Sequence, residues 1–213
     1  MLILSIDSSQ PVGSVTLARA DGDIAIIETV QAHGGKFSAQ LIPTVKRLLE
    51  AHNIEKHHID VMAAASGPGT FTGLRVGLAA VKALAEILQK PIVTVSVLEA
   101  LASADMARKR IAITEAGKGF WYAGVYGDDN AVEQHCTAEQ LRELLKQHSQ
   151  ATIVATQMLP SELARDGVRI VDTPVIELVA GVAAGKAARK EITEIDAVDA
   201  NNIRPDEALY KTS

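Results

Sequence analysis

Apolar and polar positions along the chain fall into blocks whose period switches between two, the repeat of a strand, and about 3.6, the repeat of a helix. Residues 2–6 are a short apolar run ending at Asp7, Ser8 and Ser9, and Gln10, Pro11, Val12 and Gly13 turn it into Ser14, Val15, Thr16, Leu17 and Ala18. Asp21, Gly22 and Asp23 supply a second turn before Ile24 to Glu28, so the opening predicts a three-stranded antiparallel meander. A polar loop, Gln31 to Lys36, carries Gly34 and Gly35. Phe37, Leu41, Val45, Leu48 and His52 then recur at spacings of three and four, with Ile42 and Leu49 widening the stripe. That spacing predicts an amphipathic helix to about Ala51, which either begins near Pro43 or kinks there.

Val61 to Ala65 reads as a buried strand, and it leads into a glycine turn and a helix over Ser66 to Lys90. With Thr70 or Thr72 as N-cap, this helix is apolar nearly all round except for a narrow stripe at Arg75, Lys82, Glu86 and Gln89. Such a helix demands burial on more than one side, and Gly73 and Gly77, four apart, clear a strip along which another helix backbone could come close. Pro91 opens a strand over Ile92 to Val95, and Ser96 is placed to cap a helix carrying Leu98, Leu101 and Met106. The second half predicts strands at Ile111 to Thr114, Phe120 to Tyr126 and Ala131 to Cys136. A helix follows with Thr137 and Gln140 as a capping box, then a strand at Thr152 to Ala155. An alanine-rich helix over Val175 to Ala188 has Leu178, Val179 and Val182 inward, and an acidic tail runs from Glu191 to Asp199. No internal repeat, low-complexity tract or long linker interrupts the chain. A length of 213 residues suits two small lobes, drawn here at 1–100 and 101–213.

Composition narrows the partners. A formal charge of -5 and only 3% aromatic residues argue against direct nucleic-acid binding, which needs basic surface or stacking platforms. The absence of an apolar run of about 18 residues argues against a membrane span, and the broken Leu2, Ile3, Leu4 run is no signal peptide. Cys136 is the sole cysteine, so neither a disulfide nor a thiolate metal cluster can form within the chain. A cytoplasmic protein with a small packed thiol is the expectation.

Two stretches could carry chemistry. Asp7, Ser8 and Ser9 end the first strand where a carboxylate and two hydroxyls could hold a phosphate or a metal-bound water, although Asp and Ser also initiate turns by bonding their own backbone. The glycine turn at Gly67 and Gly69 could cradle an anion at a helix N-terminus. It is not a Walker A loop, because no Lys follows the glycines, nor a dinucleotide fingerprint, because Thr72 stands where the third glycine belongs. No two of the six histidines are four apart, so a helical metal-ligand pair is missing, and His57 and His58 read as solvated loop residues. No Ser, His and Asp grouping supports a protease.

The order of elements, the Asp ending the first strand, and the run Gly-Pro-Gly-Thr-Phe-Thr-Gly-Leu-Arg-Val-Gly from Gly67 to Gly77 together resemble the TsaB family, also called YeaZ. The likeness is closest over residues 1 to about 100. Looser echoes follow at Ile203, Arg204, Glu207 and Ala208. The family is a bacterial subunit involved in making threonylcarbamoyladenosine in tRNA. The resemblance implies an α/β, actin-like and heat-shock-ATPase-like (ribonuclease H-like) fold of two related lobes, the second reduced. Asp7, Ser8 and Ser9 would correspond to the first phosphate loop, and with Gly67 and Gly69 would form a vestigial nucleotide cleft.

The resemblance further implies a non-catalytic subunit, without catalytic residues, metal or obligatory cofactor, that supports the catalytic paralogue TsaD. TsaE, an ATPase, would join the complex. Contact with TsaD would run through the first-lobe helices, at Leu41, Val45, Leu48, Gly73, Leu74, Gly77, Leu78 and Val81, with a homodimer when TsaD is missing. Relatives commonly carry Ile-Asp-Ala-Arg where this chain has Ile-Thr-Glu-Ala from Ile113, so the Asp and Arg are absent here. The alternative is a small ATP-dependent phosphotransferase of the same superfamily, with Asp7 and Gly67 to Gly69 at the phosphates.

Overall fold

The computed structural model describes residues 1–32, 37–127, 131–163, 167–201 and 203. Arg204, Glu207 and Ala208, the looser family echoes, lie outside the described residues, as do Gly34 and Gly35 of the expected loop. The chain divides into two units, Met1–Val97 with Pro174–Asn201, and Leu98–Thr173 with Asn202–Ser213. This corrects the expected lobes. The first boundary falls close to residue 100, but the alanine-rich helix and the acidic tail assigned to the second lobe return to the first.

In the first unit, β1 (Leu2–Asp7), β2 (Gly13–Asp21) and β3 (Asp23–Ala32) form the expected meander. β4 (Val61–Gly67) and β5 (Ile92–Ser96) extend the sheet in the order β3-β2-β1-β4-β5, with β1, β4 and β5 parallel. Alternation along the strands puts Leu2, Leu4, Ile6, Val15, Leu17, Met62 and Ala64 into one core with α1 (Phe37–Ala51) and α2 (Phe71–Leu88). α1 runs from Phe37 through Pro43, so of the two expectations the late start is excluded. Thr70 is the N-cap of α2, although its hydroxyl makes no capping bond.

The opposite face of the sheet is crossed by a helix from late in the chain, Val175–Ala188, numbered α5. Here the strands present small or polar residues, among them Ser5, Thr16, Ala18, Ala63 and Ala65, which lets the helix lie close. Inward positions are Ile176, Val179, Ala180 and Ala183, whereas Leu178 and Val182, expected inside, are half-buried. A hydroxyl row fixes the start of the helix: Thr29 donates to Glu177 Oε1 at 2.8 Å and shares a 2.9 Å hydrogen bond with Thr16. At its far end Lys186 Nζ donates to the Thr94 carbonyl at 3.4 Å, and Thr193 N donates to the Ile92 carbonyl at 2.8 Å.

The second unit repeats the pattern. After α3 (Val97–Ala102), β6 (Arg110–Gly117), β7 (Phe120–Tyr126), β8 (Val132–Thr137), α4 (Ala138–Gln147), β9 (Thr152–Ala155) and β10 (Val168–Ile170) build a sheet ordered β10-β9-β6-β7-β8. Three antiparallel strands, a helix and two parallel strands thus recur in the same spatial order, which is the two-lobed actin-like α/β arrangement. The repeat is reduced, for among the described residues no helix separates β9 from β10 as α2 separates β4 from β5. The capping box is present in both directions, Gln140 N to Thr137 Oγ1 at 3.2 Å and Thr137 N to Gln140 Oε1 at 2.9 Å. Met106, expected on the helix after Ser96, lies beyond α3 and is 93% exposed. Cys136 is packed in this unit's core, and burial pushes its thiol up to about 11, which suits a structural thiol.

Candidate functional site

The end of β1 and the start of α2 meet in the first unit, and glycines decide how closely. A side-chain carbon at Gly69 would lie 2.4 Å from the Ser9 carbonyl oxygen, one at Gly73 2.2 Å from that of Ser8, and one at Gly77 2.0 Å from Ser8 Oγ. All three distances are impossible for real Cβ atoms, so the turn at Ser8 and Ser9 lies directly against the helix backbone. Thr70 N donates to the Ser9 carbonyl at 2.7 Å, and Thr70 Oγ1 reaches the Ser8 carbonyl at 3.5 Å. Gly67 has φ +110°, a conformation natural to glycine, and beside it Asn201 N donates to the Ser66 carbonyl at 2.6 Å. The sequence placed Asp7, Ser8, Ser9, Gly67 and Gly69 at one site, and the structure brings these two segments together.

Asp7 is 5% exposed, and its Oδ1 accepts from Ser9 N at 2.8 Å. Burial pushes its carboxyl above the usual carboxylate range, and the bonds from Ser9 only partly offset this. Ser9 Oγ is buried beside this carboxyl but makes no hydrogen bond of ordinary geometry among the described residues. Among the described residues no three His, Cys, Asp or Glu side chains are grouped to hold a metal ion, and no helix is long and apolar enough to cross a membrane.

The residues expected to contact a partner are placed differently. Leu41, Val45, Leu48, Leu78 and Val81 belong to the unit's own core, Leu74 and Gly77 are buried, and Gly73 is half-buried against Ser8. As a contact surface they are corrected: the strongest apolar stripe of each helix is used by the sheet beneath it, and the glycine strip receives a turn, not another helix. The outward face of α2 consists instead of Thr72, Arg75, Ala79, Ala83, Glu86 and Ile87, with Ile87 73% exposed and the Arg75 guanidinium 3.8 Å from the Phe71 ring centroid. On α1, Ile42 is half exposed. Ala79, Ala83 and Ile87 share this side of α2 with Arg75 and Glu86, so in the sequence it reads as merely polar. The alternation of small and charged residues there was the available signal.

A family model described as TsaD, tRNA N6-adenosine threonylcarbamoyltransferase, matches residues 29–148, more than half of the chain. The chain belongs to this family. Proteins named TsaB (YeaZ) are among those it resembles. A Bacillus subtilis protein named tRNA threonylcarbamoyladenosine biosynthesis protein TsaB is 32% identical over 142 residues, 66% of this chain and 61% of the relative. A Haemophilus influenzae protein of the same name is 30% identical over 104 residues, 49% of this chain and 43% of the relative. The chain thus spans less than two thirds of the length of the curated relatives it matches. YeaZ from Pseudomonas aeruginosa superposes with a TM-score of 0.69 over 94% of this chain and all of that one, at 21% identity, a likeness of fold.

Two expectations follow from the geometry. Gly73→Ala and Gly77→Ala should each cost roughly 1–3 kcal/mol in chemical denaturation, the usual range for overpacking. Ser8→Gly should restore much of the loss for Gly77→Ala, whose obstacle is the Ser8 side chain, and little for Gly73→Ala, whose obstacle is a carbonyl. Because the Asp7 carboxyl is raised in the folded state, its contribution is fully present below the ordinary carboxylate value and is lost as pH rises through its folded value. Asp7→Asn should therefore gain stability relative to the unsubstituted protein as pH rises from 4 to 8, read as the difference in unfolding midpoints. A constant difference would contradict this.

Proposed function

We propose that the protein is a non-catalytic subunit of the bacterial machinery that makes threonylcarbamoyladenosine in tRNA, binding and supporting TsaD. On this reading TsaE joins the complex, a homodimer forms when TsaD is missing, and the site of action is the cytoplasm. The observation that carries the reading is the family match over residues 29–148, joined by the names of the Bacillus and Haemophilus relatives, which describe biosynthesis of this nucleoside. A charge of -5 and few aromatics leave direct RNA binding without support in the composition.

With the apolar stripes of α1 and α2 consumed by the sheet, the partner contact moves to the outward face of α2. Ala79 and Ala83 keep that face low enough for a partner helix to approach, Ile87 supplies an apolar anchor, and Phe71 with Arg75 supplies an aromatic and cationic edge. The test is co-elution with TsaD, together with restoration of the modification in a cell lacking its own copy. Ala79→Arg and Ile87→Arg should weaken TsaD binding at least tenfold, about 1.4 kcal/mol, without lowering the unfolding midpoint. Val132→Arg, on an exposed position of the second unit, should leave binding unchanged. If the unsubstituted protein neither co-elutes with TsaD nor restores the modification, the reading fails.

One observation favours the phosphotransferase alternative: Ser9 Oγ is buried beside the desolvated Asp7 without a hydrogen bond of ordinary geometry. Against it stands the use of the Thr70 N–H by the Ser9 carbonyl, and the filling of the space over Gly69, Gly73 and Gly77 by the Ser8–Ser9 turn, where phosphate oxygens would need the glycine backbone. Calorimetry with magnesium ATP is expected to show no binding to the protein or to Asp7→Ala. Saturable heat lost in the variant would support the alternative.

A further inference from the structure

At the end of the first unit remote from the glycine turn, a cavity of about 590 Å³ opens where the core runs out. Its position follows from strand alternation. Leu17 of β2 faces the core under α1, so Arg19 and Asp21 continue on the same face beyond the core's edge, with Arg19 directly opposite Leu2. The opposite wall is the chain leaving α1, at His52 and Ile54, and the approach to β4, at His58 and Asp60.

The charges on these walls are opposed and partly uncommitted. Arg19 and Asp21 are exposed, and among the described residues neither makes a hydrogen bond or an ion pair through its side chain. Asp60 is held in place, its Oδ2 accepting from Leu2 N at 2.7 Å and its own N donating to the Leu2 carbonyl at 2.8 Å. His52 is fixed by Glu28, 2.7 Å from Nε2 to Oε2. The Met1 ammonium donates to the Ala20 carbonyl at 2.8 Å and adds a second positive charge to the lining beside Arg19. The β2 wall therefore offers a guanidinium beside the Asp21 carboxylate, while on the opposite wall Asp60 and the C-terminal end of α1, the negative end of its dipole, favour a cation. Leu2 and Ile54 provide apolar surface between them.

A simple anion would be repelled by two carboxylates, and a simple cation by Arg19 and the Met1 ammonium. A molecule bearing both charges satisfies both walls, and the volume falls in the roughly 300–1,000 Å³ range of small-molecule sites. We propose that this cavity binds a small zwitterion of the amino-acid or short-peptide class, its carboxylate on Arg19 and its ammonium toward Asp21 and Asp60. The proposal is independent of the partner reading, since TsaD takes no part in its test.

That test is a titration of the isotope-labelled full chain followed by amide chemical shifts. Trialanine with free termini should move the amides of Leu2, Ile54 and Asp60 saturably. N-acetyl-trialanine amide, inorganic phosphate and putrescine should each bind at least tenfold more weakly. Arg19→Met and Asp21→Asn should each weaken trialanine at least tenfold while the remaining spectrum is preserved, which separates lost binding from lost folding. The proposal is overturned if trialanine moves none of these amides, if the blocked peptide, phosphate or putrescine binds as well, or if both variants bind like the unsubstituted protein.

Discussion

The rest of the first unit depends on one close contact, that of the Ser8–Ser9 turn with the backbone of α2. Three glycines four residues apart, Gly69, Gly73 and Gly77, remove the side chains that would hold the helix away, and the Thr70 N–H closes the gap onto the Ser9 carbonyl. Once the helix is seated there, its rotation about its own axis is fixed. Leu74, Leu78, Val81 and Ala85 must then face the sheet, and Ala79, Ala83 and Ile87 must face away. The same contact shuts Asp7 away from solvent and raises its carboxyl. The burial of the Asp7–Ser9 turn and the orientation of an outward helical face are thus two results of one packing constraint.

Local patterns were legible in the sequence, and non-local ones were not. The meander, α1, β4, α2 and the Thr137–Gln140 box could be read because each is set by spacing within a few residues. Gly73 and Gly77 correctly announced that something approaches the helix closely, but the identity of the visitor is a tertiary fact, and the natural guess of a second helix was wrong. The same limit explains the displaced contact residues. Leu41, Val45 and Leu48 demand burial by their spacing, and spacing alone cannot distinguish a sheet of the same chain from a partner. The strands show why the sheet wins: Leu2, Leu4, Ile6 and Leu17 alternate onto that face and would otherwise have no cover.

The return of α5 to the first unit was hidden for a different reason. The helix is apolar around most of its circumference, so its own periodicity selects no face. The information lies in the strands it crosses, where Ser5, Thr16, Ala18, Ala63 and Ala65 are too small to fill a core alone and so require a close-lying backbone. Glu177 then selects the register by meeting Thr29.

The two units share one strand order, but the second lacks a counterpart of α2 among its described residues, and the helix following its last strand serves the first unit's sheet. α5 covers the small-residue face of the first unit's sheet, anchored at both ends by Thr29 with Glu177 and by Thr94 with Lys186, and α1 and α2 cover the other face. A sheet covered on both faces holds its outer helices rigidly, and rigidity is what a docking surface needs, because each side chain already ordered before association lowers the entropic cost of binding. The same three glycines, Gly69, Gly73 and Gly77, thus both seat α2 and leave no space between it and the Ser8–Ser9 turn.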